Sequence, residues 1–79
     1  MRVDQFDLDK EDWNQQRVDI LSRASFELRC AAEKLVVTVL VSNSNGYAMQ
    51  VGVDGCDHRL VYVRNQLGWN LNSSDAEKK

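Results

Sequence analysis

Residues 34–64, KLVVTVLVSNSNGYAMQVGVDGCDHRLVYVR, hold three runs rich in β-branched residues, separated by SNSNG and DGCD. Branching at Cβ restricts χ1 and suits a pleated strand better than a helix. Asn45-Gly46 and Asp54-Gly55 tolerate the positive φ that tight hairpin turns demand. This pattern predicts an antiparallel three-stranded meander, and every other reading of the chain has to accommodate it.

At 79 residues the chain is read as a single small domain over 1–79. A domain of this size buries only about 60% of the surface its unfolded chain exposes, so it needs some further support. The two cysteines, Cys30 and Cys56, allow one bridge at most, while the N-terminal MRVDQFDLDKED lacks an apolar leader. The expectation is therefore a cytoplasmic protein with reduced thiols. No apolar run approaches the ~18 residues of a membrane span, so no membrane partner is expected. A net charge of −2 argues against tight nucleic-acid binding, which rests on a basic footprint.

Ahead of the meander, residues 1–8 read as an acidic arm and 9–33 as an amphipathic helix. Asp7 or Asp9 can cap that helix, and Glu11 and Asp12 suit its dipole. Trp13, Ile20, Leu21, Ala24, Leu28, Ala31, Ala32 and Leu35 fall within a sector of roughly 120°. Leu8 can staple onto Trp13 at the entry. Val18, Phe26 and Cys30 lie on the opposite side, and a helix of about 24 residues reaches ~36 Å, longer than a strand of eight residues. Either the helix overhangs the sheet, or it stops near Arg23 and a fourth strand starts at Ser25; helix propensity favours the longer helix. Residues 65–71 read as an irregular strap carrying Trp69, and 72–79 as a flexible tail.

A two-residue turn at Asn45-Gly46 sets Leu40 opposite Val51 and Thr38 opposite Val53. Tyr47, Met49, Val51 and Val53 then share the helix-facing side with Leu60 and Tyr62. The other side collects Leu35, Val37, Val39, Val41, Val61 and Val63, more apolar surface than a small monomer leaves in water. The C-terminal strap, a second copy or a different protein would have to cover it. Val37, Val39, Val41, Val61 and Val63, with Trp69, are therefore the candidate residues of a partner or self interface.

Motifs for chemistry are sparse. His58 is the single histidine, and Cys56-x-His58 with Cys30 and Asp57 does not follow zinc-ligand spacing. No Gly-rich phosphate loop occurs, and Asp54 and Asp57 read as turn residues. Neither a metal nor another cofactor is expected, and the chain is not read as an enzyme. The α-β-β-β order is similar to that of the double-stranded-RNA-binding domain in element order alone; that family's basic cluster is matched only by Lys78-Lys79.

The function these residues imply is a small protein-binding module: an adaptor, an inhibitor or an immunity-like protein. It self-associates, with a dimer favoured. The first alternative is a nucleic-acid-binding domain in which Arg17, Arg23, Arg29, Arg59 and Arg64 converge. The second is a small metal protein or enzyme built around His58.

Overall fold

Asp9 starts the helix. Its Oδ2 accepts the Asp12 backbone N–H at 2.9 Å, and helix α1 runs Lys10–Leu28 in the computed structural model, which describes residues 1–74. Leu8 and Trp13 are both buried in the same cluster, as the staple requires. The helix stops short of the expected Glu33 because Arg29 turns left-handed at φ 52°. The Cys30 N–H then donates to the Ser25 carbonyl at 3.1 Å, while Ser25 Oγ donates back to the Cys30 carbonyl at 2.6 Å. Ala32–Lys34 form one 3₁₀ turn, and no strand starts at Ser25. Nineteen helical residues span about 28 Å, the length of an eight-residue strand, so the overhang disappears.

The short strands β1 (Arg2–Val3) and β2 (Phe6–Asp7) pair before the helix. After it come β3 (Val36–Ser42), β4 (Ala48–Gly55), β5 (His58–Asn65) and β6 (Gly68–Ser74), in antiparallel order β3-β4-β5-β6. The α+β architecture and the meander are as expected. The strap is not: residues 68–74 form a fourth strand. Asn65-Gln66-Leu67-Gly68 makes the turn that launches it, with Asn65 Oδ1 accepting the Leu67 N–H at 2.8 Å and Gly68 at φ 117°. Of the tail expected at 72–79, residues 72–74 belong to β6; the rest lies outside the described residues.

The β3–β4 turn uses the same Asn-x-x-Gly device. Gly46 N–H donates to the Asn43 carbonyl at 3.1 Å, Asn43 Oδ1 accepts from Asn45 N–H at 3.0 Å, and Gly46 takes φ 80°. The Asn43 N–H donates to the Tyr47 carbonyl at 2.9 Å, so the loop holds three residues rather than two. Val39 therefore stands opposite Val51 and Val37 opposite Val53. This one-residue difference turns β3 over. Val39 is core, and Val37 is half-buried against it, not on the far side. Irregularities around Val41 shift the register again and let Ala48 into the core, while Tyr47 stays exposed.

Between α1 and the sheet lie Trp13, Ile20, Ala24 and Leu28 from the helix and Val51, Val53, Leu60 and Tyr62 from the strands. β4 and β5 keep the expected facing because Cys56 and Asp57, at φ 49° and 65°, form a two-residue turn between the paired Gly55 and His58. Gly55 is required for close approach: a Cβ there would sit 2.5 Å from Leu35 Cδ2.

The acidic arm is a hairpin, turned by Asp4 and Gln5 at φ 49° and 74°. Asp4 Oδ2 accepts the outward N–H of Val39 at 2.9 Å, while Val3 and Phe6 pack against the core. Cys30 and Cys56 form a disulfide with Cα atoms 6.1 Å apart, which corrects the expectation of reduced thiols. The helix end brings Cys30 to the β4–β5 turn, a proximity that no spacing in the sequence reveals.

Candidate interaction surface

Parity along each strand builds the side of the sheet remote from α1. Thr38, Gly52, Val61 and Ser73 form one row across it, and Val36, Asp54 and Arg59 form another. Gln50, Val63 and Asn70 form the third, with Val41 paired to Gln50. Leu40 belongs here too, since its Cδ1 lies 3.7 Å from where a Gly52 Cβ would point. Val36 is 62% exposed, Leu40 43% and Val41 45%, whereas Val61 and Val63 are half-buried by their neighbours. Among the described residues, this face carries the charged side chains of Asp54 and Arg59, joined in a two-pronged pair at 2.9 and 3.3 Å.

Of the residues expected at an interface, Val41, Val61 and Val63 are together on this outer face. Val37 and Val39 face the helix side, for the register reason given above. Trp69 is also a core residue: it is 3% exposed, and its Nε1 donates to Gln16 Oε1 at 2.8 Å. Val36 and Leu40 were missed. Asn43 was the signal that would have found them, because an Asn three residues before Gly46 marks a type I turn and a three-residue loop.

A second constellation ties the start of α1 to the sheet. Arg64 Nη1 and Nη2 donate to Asp12 at 2.9 and 3.0 Å, and the guanidinium lies over the Tyr47 and Trp69 rings at 5.1 and 5.9 Å. Gln16 Nε2 donates to the same Asp12 carboxylate at 3.3 Å. Charge, ring faces and amide are all matched within the fold, which makes this cluster an anchor rather than an open receptor. Nearby, burial pushes the Tyr62 phenol above its ordinary pKa of 10.0, reinforced by the Glu27 carboxylate and opposed by Arg23.

The arginines do not form one patch. Arg23 pairs with Asp19 and donates to the Trp69 carbonyl, Arg59 pairs with Asp54, and Arg64 with Asp12. Among the described residues, no group of three or more His, Cys, Asp or Glu side chains is placed to hold a metal ion. Open depressions lie at the end of α1 beside Phe26 and between Asp9 and the Asn43–Gly46 turn. No helix of the described residues is long and apolar enough to cross a membrane. Comparison with protein-family models, curated proteins and solved structures finds no match.

Proposed function

We propose that the protein is a binding module that acts by occupancy, not catalysis, docking an apolar protein surface on the outer face of its four-stranded sheet. The observation that carries this reading is the asymmetry of burial. The inner face is closed by α1, while Val36, Leu40, Val41, Val61 and Val63 stand on the outer face with Val36 mostly in water. Apolar side chains gathered on one sheet face of a small domain mark a contact site more often than chance exposure does. The disulfide supports a working compartment that keeps thiols oxidised, in place of the cytoplasm expected from the sequence.

The test is a photo-crosslinking residue placed at Thr38, midway along edge strand β3 on the outer face, with a control at the exposed Asn14 of α1. The expected result is a covalent protein adduct from position 38 that Val63→Lys removes, with none from position 14. Adducts from position 14 alone would overturn the reading.

A further inference from the structure

We infer that the surface docked on the outer face is the same face of a second copy, related by a two-fold axis; this rests on the docking reading above.

Two observations choose this occupant. The first is charge. Asp54 and Arg59 neutralise one another on the face, although the chain as a whole carries −2. Among the described residues the face is therefore balanced in charge, and two copies meet there without like-charge repulsion. The second is the direction of approach. Asp4 occupies the Val39 N–H on the β3 edge, and β6 presents Asn70, Asn72 and Ser73. The Asp4 carboxylate blocks the β3 edge at Val39 and polar side chains flank the β6 edge, which favours face-on contact over edge-on pairing.

Geometry agrees with a modest dimer. Strands of seven or eight residues and four strands across give a footprint of about 25 by 19 Å, near 1,000 Å² for two copies, the lower bound of a specific interface. Two twisted sheets packed face to face align their strands within about 30°, with the side chains of both inner faces interdigitating. The interface is isologous and closes at two chains.

Analytical ultracentrifugation of the full oxidised chain tests this. The average mass should rise with concentration from low micromolar to millimolar and level off at two chains. Val61→Lys and Val63→Lys should each remain monomeric with an unchanged circular dichroism spectrum. A wild-type chain that stays monomeric throughout would overturn the inference, as would growth beyond the dimer or a dimer lost in Phe26→Ser but kept in both lysine variants. Should the lysine variants fail to fold, methyl NMR of the wild-type chain decides. Concentration-dependent shifts are expected at Val36, Leu40, Val61 and Val63, and shifts confined to Val18 would overturn the dimer. A monomer whose position-38 crosslink holds a different protein also overturns it while leaving the docking reading intact; no adduct at all removes both.

Discussion

Leu60 and Val61 are neighbours in β5, yet Leu60 is 0% exposed under α1 and Val61 stands half-buried on the outer face. The inner and outer faces of this sheet are drawn from the same strands and similar aliphatic residues. What separates them is parity, set by the length of each turn. Composition decides that a sheet forms; turn geometry decides which half of it becomes core.

The largest effect that sharpens the contrast is a pair of truncations. Leu60→Ala should cost about 2–5 kcal/mol in urea unfolding of dilute protein, and Val61→Ala no more than about 0.5 kcal/mol. Equal losses would mean that the outer face is core of an obligate assembly. Next is the disulfide, which holds the end of α1 beside the β4–β5 turn. Closing a separation of 26 residues is worth about 3.5 kcal/mol in the chain-entropy model, so reductant or a Cys30→Ser, Cys56→Ser double variant should lower the melting temperature sharply. Unchanged melting would show that the inner face holds the helix unaided. Asp12→Ala leaves Arg64, at 19% side-chain exposure, without its carboxylate and should cost about 2 kcal/mol by thermal melting.

Glycines give a smaller and opposite pair. Gly55→Ala drives a methyl against Leu35 and Lys34 and should destabilise by about 1–3 kcal/mol, measured by chemical denaturation. Gly52→Ala meets only ordinary contact with Leu40, so it should stabilise by roughly 0.5 kcal/mol. The smallest effect is alkaline. Because the Tyr62 phenol is raised in the fold, the folded state holds its proton more tightly than the unfolded state. That stability is complete below pH 10 and is lost as pH rises through the raised value. A melting series across that range should fall for the wild type and flatten for Tyr62→Phe.

How much of this was legible follows from which signals had one meaning. Asp9 at the head of DKEDW marked the helix start, and the Val51/Tyr62 and Val53/Leu60 pairs were legible because a two-residue and a four-residue loop after Asp54 give the same facing. Asn45-Gly46 had two meanings. It satisfies a two-residue turn, but with Asn43 it completes a three-residue loop, and the two-residue reading misplaced Val37 and Val39. The strap reading of 65–71 passed over Gly68 as the last residue of the Asn65 turn, which hid β6 and the burial of Trp69. The disulfide was beyond reach of sequence because Cys30 and Cys56 meet only through the left-handed Arg29 and the left-handed β4–β5 turn.

That bridge also orders the route by which the chain assembles. Once formed, it converts residues 30–56 into a ring that contains both partners of the β3–β4 hairpin, with two open tails. The ends of the ring are already together, so this hairpin forms at a reduced loop-closure cost, whereas α1 must find the sheet from a tail. β5 and β6 then add in succession through their tight turns, each by local contacts, the kind that fold fastest. An oxidised chain therefore begins its search from the β3–β4 end of the sheet.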